Sequence, residues 1–149
     1  MDEITIEGVL LIDLKIIDHP KGNILHGMRN TDNGFHGFRD AYFSTINQGD
    51  IKGWKKHKTM IMNLIVPNGK VRFVLFDGRM NSVTKNQFYT VELSRSNYKR
   101  LMIPPGIWHA FKGESHKENI ILNISNIKHD PRKILRKNIE EISYDWEIH

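Results

Sequence analysis

The chain has 149 residues, no cysteine and a formal net charge of +5. This length fits one domain, predicted to span residues 1–149, and the lack of thiols excludes disulfides, thiolate metal sites and a cysteine nucleophile. The positive charge favours a phosphate-bearing small molecule or an acidic partner, whereas no recognition helix or aromatic sheet motif predicts nucleic-acid binding.

The first predicted elements are short strands. Extended segments at residues 4–17, 23–29 and 38–46 are separated by polar, glycine-containing turns, and a further turn follows at residues 48–50. The first apolar run contains Asp13 and Lys15 and ends without a small-residue cleavage site. It therefore predicts neither a signal peptide nor a membrane span, and a cytoplasmic protein is expected.

A long hairpin is predicted next. Two apolar runs lie on either side of Pro67-Asn68-Gly69, a turn signal typical of β-hairpins. In the second run, alternation places Arg72 on an otherwise apolar face. His57 lies in the basic cluster that precedes the first run, so it is expected at the mouth of the hairpin. In the first run it shares parity with Asn63. Both faces are mostly apolar, as in a sheet covered on both sides.

Four more strands are predicted after this hairpin, at residues 88–94, 101–103, 107–112 and 119–126. Only the tail has helical spacing: Pro131 suits a helix start, and Ile134, Leu135, Ile139 and Ile142 recur near the helical period. No helix lies between strands, which excludes a βαβ fold. The pattern predicts an all-β sandwich or barrel with a short C-terminal helix.

The segment Pro104-Pro105-Gly106-Ile107-Trp108-His109 places a rigid turn before a strand that holds a histidine. Alone, it fits a hydrogen-bonded core histidine as well as a functional one. Together with His57 and the strand order, it resembles the P-x-G-x-x-H motif of the cupin superfamily. The segments KGWKKHK, IPPGIWHAF and NIKHDP, with the hairpin between the first two, resemble the dTDP-4-dehydrorhamnose 3,5-epimerase family and its shorter relatives, including sugar-nucleotide 3,4-ketoisomerases.

This resemblance implies a cupin-type jelly-roll β-barrel, usually dimeric, that binds a nucleotide-linked 4-keto-6-deoxy sugar. The implied activity is epimerisation or isomerisation by proton transfer at carbons next to the ketone, without a cofactor, in surface polysaccharide biosynthesis. Such chemistry needs a base for a C–H proton, a group that holds the enolate oxygen, and an acid.

Residue by residue, the match is incomplete. The epimerases have a catalytic histidine two residues after the glycine of R-G-x-H, and Lys55 stands at that place. His57 matches the second histidine of the ketoisomerase-like pattern R-G-x-H-x-H-K, and Lys58 matches its lysine. The family's strand lysine falls at about Met62, and its acid tyrosine falls at about Asn123.

The predicted site follows from this comparison. His57 is expected as the base, and Asn123 is expected to point into the barrel, where an amide can bind a sugar but cannot deliver a proton. Tyr42 and His109 are the candidate acids; Tyr42 is favoured for proton delivery and His109 for binding, although Tyr42 also fits a core aromatic with a surface hydroxyl. Substrate binding is assigned to Lys55, Lys58, Arg72, His109 and Asn123.

Two alternative functions are judged from the family residues that this sequence lacks. A metal-binding cupin carries H-x-H, a nearby carboxylate and the later histidine. Here Lys55 replaces the first histidine, and no Asp or Glu lies between Lys58 and Val74, so no metal is expected. The second alternative is a binding protein on the same fold, which has lost the epimerase acid and lysine and holds a sugar nucleotide without turnover.

Overall fold

The computed structural model describes residues 3–147, and its regular elements are β-strands apart from two 3₁₀ turns. The strands are β1 (Leu10–Asp13), β2 (Ile16–Ile17), β3 (Ile24–Leu25), β4 (Asp40–Ile46), β5 (Ile51–His57), β6 (Met62–Asn68), β7 (Lys70–Asp77), β8 (Phe88–Ser94), β9 (Lys99–Ile103), β10 (Ile107–Gly113), β11 (Asn119–Ser125) and β12 (Ile134–Arg136). In the described part of the chain, no helix is both long enough and apolar enough to span a bilayer.

Two five-stranded antiparallel sheets face each other. Their strand orders are β1-β9-β6-β11-β4 and β12-β5-β10-β7-β8, and β2 and β3 form a separate pair. From β4 to β11 the chain crosses repeatedly between the two sheets, and the longest connections carry no helix. This is the jelly-roll arrangement, and it confirms the predicted all-β fold class.

The core lies between the sheets. Leu64 and Leu101 of the first sheet meet Phe73 and Leu75 of the second, and each is at most 3% exposed. Because side chains alternate along a strand, Arg72 lies on the opposite, outer face of β7. The alternation read from the sequence of β7 is therefore confirmed.

The predicted hairpin joins β6 to β7 through Gly69, whose φ is +79°. A Cβ at this position would lie 2.4 Å from Asn119 Oδ1 and 2.7 Å from the Glu118 carbonyl oxygen. Asn68 belongs to β6 and lacks a positive φ. Glycine is thus required both by the left-handed backbone and by the close approach of the neighbouring loop.

The C-terminal segment departs from the predicted helix. Pro131 does begin a helical turn, in which Asp130 accepts a hydrogen bond from the Arg132 N–H, but this turn ends at Lys133. The next residues form β12, which pairs antiparallel with β5 in the register Ile134↔His57, Leu135↔Lys56 and Arg136↔Lys55. An α-helix continuing to Ile142 is therefore wrong. The open edge of β5 supplies backbone partners for a segment too short to form a stable helix by itself.

The segment after β12 covers the outer face of the second sheet. Ile142 and Trp146 pack on Trp54 and Val74, and the Trp54 indole N–H donates to the Ile139 carbonyl at 3.0 Å. This packing explains why β7 is apolar on both faces, as its sequence indicated.

A buried arginine organises the outer face of the first sheet. Arg100 is 0% exposed; its guanidinium donates to Asn63 Oδ1 and, at 2.7 Å, to the Asn33 carbonyl. The Asn63 amide in turn donates to the Gly34 carbonyl at 3.2 Å. Arg100 thereby ties β6 and β9 to the loop that follows β3.

Replacing Arg100 with methionine is expected to lower the free energy of unfolding by about 2–4 kcal/mol, because Asn63 Oδ1 and the Asn33 carbonyl lose their donor inside the protein. Urea unfolding of both proteins measures this loss. Arg39→Met removes an exposed arginine and should change stability by no more than about 0.5 kcal/mol. Equal stability of the two variants would contradict the anchoring role.

Candidate active site

Two imidazoles lie side by side on the inner face of the second sheet. His57 on β5 is 8% exposed and His109 on β10 is 7% exposed. Their rings stack with centroids 5.5 Å apart and planes inclined by 14°. His109 is level with Leu75, a core residue, so both rings face the interior of the barrel. The structure thus brings together two histidines that the sequence placed in separate motifs.

The orientation of His57 corrects one expectation. Parity counted through residues 57–66 placed His57 on the same face as Asn63, but β5 ends at His57 and β6 begins at Met62 in the other sheet. The irregular connection between them resets the alternation. His57 consequently shares the interior with Met62, whereas Asn63 faces outward.

Burial keeps both imidazoles neutral. Desolvation, assisted by Lys55, His129 and Arg136, lowers the pKa of His57 to about 4. Desolvation, assisted by His57 and Lys55, lowers the pKa of His109 to about 3. His109 Nε2 is buried without a hydrogen-bond partner among the described residues. Near pH 7 the unprotonated His57 is therefore able to accept a proton.

A cationic edge adjoins the imidazoles. Lys55 pairs with His109 across β5 and β10, and Arg136 of β12 pairs with Lys55 on its other side. Burial lowers the pKa of the half-buried Lys55, and Arg136 and Lys52 act in the same direction. Within residues 3–147, neither Lys55 nor Arg136 forms an ion pair. The edge is thus suited to an anionic group.

Arg136 and His129 were not singled out from the sequence. Both lie in the tail, which was interpreted as a turn followed by a helix, and only the pairing of β12 with β5 places Arg136 beside Lys55. The tail's basic residues gave no indication of which of them would meet the site.

The opposite wall of the barrel comes from β4 and β11. Tyr42 pairs with Asn123, and Ser44 pairs with the core residue Ile121, so Tyr42 and Asn123 share the inner face. Asn123 donates to Ser44 Oγ at 3.3 Å. Tyr42 is 45% exposed, and its pKa is raised by burial and by Asp40. Its phenol is therefore protonated at neutral pH.

The remaining two predicted residues lie apart from this group. The Lys58 side chain is exposed, and its backbone N–H donates to the Lys133 carbonyl at 2.9 Å. Arg72 is 3% exposed on the outer face, where it binds Glu114 and the Trp146 carbonyl. Strand alternation puts Arg72 on the side of the sheet away from His109, so a substrate-binding role for Arg72 is not supported.

The candidate site contains few residues that could bind a metal ion. In the described part of the chain, no three His, Cys, Asp or Glu residues cluster in a way that would hold a metal ion. The two stacked imidazoles instead have ammonium and guanidinium groups as their charged neighbours.

The free energy of unfolding is expected to decrease as the pH is lowered, because of the histidine pair. His109 has a folded pKa of about 3, below the unfolded value of about 6.5, so the unfolded chain binds the proton first as pH falls. Between about pH 6 and pH 4 this costs about 1.4 kcal/mol per pH unit. His109→Asn should show a correspondingly shallower decline in urea unfolding, whereas His116→Asn, at an exposed position, should retain the wild-type slope. Equal slopes in all three proteins would contradict the burial argument.

The sequence profile of the dTDP-4-dehydrorhamnose 3,5-epimerase family matches residues 3–149. The chain belongs to this family. The predicted family and the jelly-roll fold are thereby confirmed, and the predicted class of activity agrees with the family's description.

Individual relatives agree with this assignment. The dTDP sugar isomerase from Desulfovibrio desulfuricans G20 superposes with a TM-score of 0.90 at 31% identity, covering 95% of this chain and 92% of that one. The spore coat polysaccharide biosynthesis protein SpsL of Bacillus subtilis strain 168 is 25% identical over 145 residues, 95% of this chain and 96% of SpsL. "Probable low-salt glycan biosynthesis epimerase Agl13" of Haloferax volcanii is 25% identical over 84 residues, which span 56% of this chain and about half, 54%, of Agl13.

Proposed function

We propose that this family member is a metal-free epimerase or isomerase of a nucleotide-activated 4-keto-6-deoxy sugar. The observation that carries the proposal is the buried, neutral pair His57 and His109 beside the cationic edge of Lys55 and Arg136, which form no ion pair within residues 3–147. The family assignment and the isomerase relative support the class of reaction, and the name of SpsL supports a place in surface polysaccharide biosynthesis.

His57 acts as the base. Its imidazole removes the proton from a carbon next to the ketone, the C–H electron pair forms the carbon–carbon double bond of an enolate, and the ketone oxygen takes the negative charge. Returning a proton to carbon regenerates the ketone, so no oxidant or reductant is consumed. A neutral imidazole at pH 7 is suited to this step.

Lys55 and Arg136 bind the anionic parts of the substrate. Their charges meet at the edge of β5 and β12, and among residues 3–147 neither side chain forms an ion pair. A diphosphate, or the enolate oxygen formed during reaction, supplies the missing negative charge. His109 and Asn123 hydrogen-bond the sugar from opposite walls.

Tyr42 delivers the proton on the far side of the sugar. Its strand belongs to the sheet opposite the one that holds β5 and β10. Asn123, its partner on β11, cannot act as an acid. Inversion at carbon requires the donor and the base to lie on opposite faces of the ring, which matches the two walls.

Proton exchange with solvent tests the proposal. The chain is incubated with dTDP-4-keto-6-deoxyglucose in D₂O, and deuterium at the carbons next to the ketone is followed by NMR. Incorporation above that of a protein-free sample is expected. If the chain binds the sugar nucleotide but no deuterium is incorporated, the proposal of an enzyme is overturned. That result would favour a non-catalytic sugar-nucleotide-binding protein.

Elemental analysis is expected to find no stoichiometric transition metal in protein purified without chelator, because two imidazoles among cations form a poor ligand set. Activity should also survive treatment with EDTA. One zinc, iron or manganese ion per chain that resists dialysis would contradict both the metal-free proposal and the role of His57 as a free base.

The proposal also includes a cytoplasmic homodimer. The cysteine-free composition suits a reducing compartment. Strand β4 is an edge strand that presents Phe43, 69% exposed, to solvent, and Phe38 just before it is 59% exposed. A second copy covering these rings would remove them from water, and light scattering of the purified chain measures whether such a dimer forms.

A further inference from the structure

An aromatic row crosses the outer face of the second sheet. Trp108 on β10 pairs with Phe76 on β7, which pairs with Phe88 on β8. The rings of Phe76 and Phe88 are in contact, with centroids 4.8 Å apart. Trp108 is adjacent to His109 in sequence, so the row lies on the face of the sheet away from the imidazole pair.

The C-terminal segment leaves part of this row uncovered. Ile142 and Trp146 close over Val74 and Trp54, but a groove of about 490 Å³ remains along the aromatic row. Its walls include Phe76, Phe88 and Trp108, and its rim includes Asn86, Lys137 and Ser143. A concave aromatic surface with a few polar groups at its edge is typical of small-molecule sites.

Two ammonium groups converge on the tryptophan of this groove. Lys56 Nζ lies 5.0 Å and Lys137 Nζ lies 5.3 Å from the centroid of the Trp108 ring. Among residues 3–147, neither lysine has an ion-pair partner. The carboxylate of Glu141, which also lines the groove, accepts a hydrogen bond from the Asn138 N–H. The positive charge of the groove is therefore only partly offset.

The groove also has hydrogen-bonding groups that are available to a ligand. The Trp108 indole N–H and the Asn86 side-chain amide have no hydrogen-bond partner among the described residues. Asn86 is fixed by its backbone, because its N–H donates to the Asp77 carbonyl at 2.7 Å and its φ is 69°. Hydrogen-bond donors beside an aromatic surface can bind a flat ring that carries polar groups at its edge.

We propose that this groove is a second ligand site, which takes a nucleoside phosphate. The Phe76 and Phe88 rings are inclined by 49° to each other, so the base stacks on one of them and meets the edge of the other. The phosphate lies between Lys56 and Lys137 and supplies the negative charge that the groove lacks. The second sheet separates this groove from His57, whereas Lys137 and Glu141 also line the neighbouring pocket that contains Lys55 and Arg136.

Counting bound nucleotide tests this site. Equilibrium dialysis of the intact protein with radiolabelled dTMP is expected to give two molecules per chain. Lys56→Gln/Lys137→Gln should raise the dissociation constant of one of them by at least about tenfold, the expected loss when two charge-assisted contacts are removed. Lys21→Gln/Lys117→Gln makes the same change in charge at exposed positions outside the groove and should retain both molecules. Lys55→Gln/Arg136→Gln should lose the other one.

The outcomes separate the two sites. If the wild type binds one dTMP and only Lys55→Gln/Arg136→Gln weakens it, the groove is not a nucleotide site and the proposed function is unaffected. If the single molecule depends on Lys56 and Lys137, the groove is supported and the role of Lys55 and Arg136 is overturned. Unlabelled thymidine should displace groove-bound dTMP only weakly; displacement as effective as that by dTMP would overturn the phosphate contact. Thermal unfolding of each variant checks that it is folded.

Discussion

His57→Asn is expected to abolish deuterium exchange next to the ketone while leaving the fold and nucleotide binding intact. The amide retains hydrogen-bonding groups in the buried position but cannot accept a proton at neutral pH. General-base catalysis contributes about 10²–10⁴-fold, so a loss at the upper end of this range is expected for the group that removes the proton. Exchange is measured by NMR in D₂O, with wild type and variant at equal concentration.

His116→Asn provides the matched control, because His116 is exposed on a turn distant from the imidazole pair, and it should exchange at the wild-type rate. Thermal unfolding and dTMP binding establish that His57→Asn is folded. Full exchange by the folded variant, on a substrate that the wild type turns over, would remove His57 from the mechanism.

Tyr42→Phe is expected to separate proton removal from product formation. Loss of the phenol removes the proposed acid, so formation of epimerised or isomerised product should fall by about 10²–10⁴-fold. His57 would still remove a proton and return a solvent-derived one to the same face. Deuterium incorporation should therefore persist in the unconverted substrate, and quantifying product and exchange in one reaction measures both effects.

Phe43→Leu serves as the control for Tyr42→Phe. Phe43 follows Tyr42 on the same strand but lies on the other face, and leucine keeps an apolar side chain for the proposed dimer contact. Its replacement should therefore leave the ratio of product to exchange unchanged. Full turnover by Tyr42→Phe would end the assignment of this tyrosine as the acid. Loss of both exchange and product would show that Tyr42 binds the substrate instead.

The sequence predicts the hairpin and the motif before His109 because both depend on residues that are neighbours in the chain. Gly69 follows from the chemistry of a tight turn, and the alternation of Val71, Arg72 and Phe73 follows from the period of a strand. The segments KGWKKHK and IPPGIWHAF carry the family resemblance. These features predicted the fold class, the two histidines and the wall that contains Asn123.

The alternation of residues along the sequence gave a wrong prediction where the chain passes from one sheet to the other. The irregular connection after β5 breaks the count of alternating faces, so the position of His57 relative to Asn63 was predicted incorrectly. Arg72 was correctly placed opposite Phe73, but alternation does not tell which of two apolar faces is the interior. Burial of Arg72 against Glu114 and the Trp146 carbonyl decides that question.

The sequence by itself determined the family, the hairpin of β6 and β7 and most of the other strands, and it suggested His57 as the candidate base, but it did not predict β5 or β12. The tertiary structure decided which groups meet that base. The tail has helical spacing, yet pairing with the free edge of β5 converts residues 134–136 into a strand and carries Arg136 to Lys55. Contacts between residues so far apart in the chain depend on which strand edges remain unpaired, and no local pattern of residues encodes that.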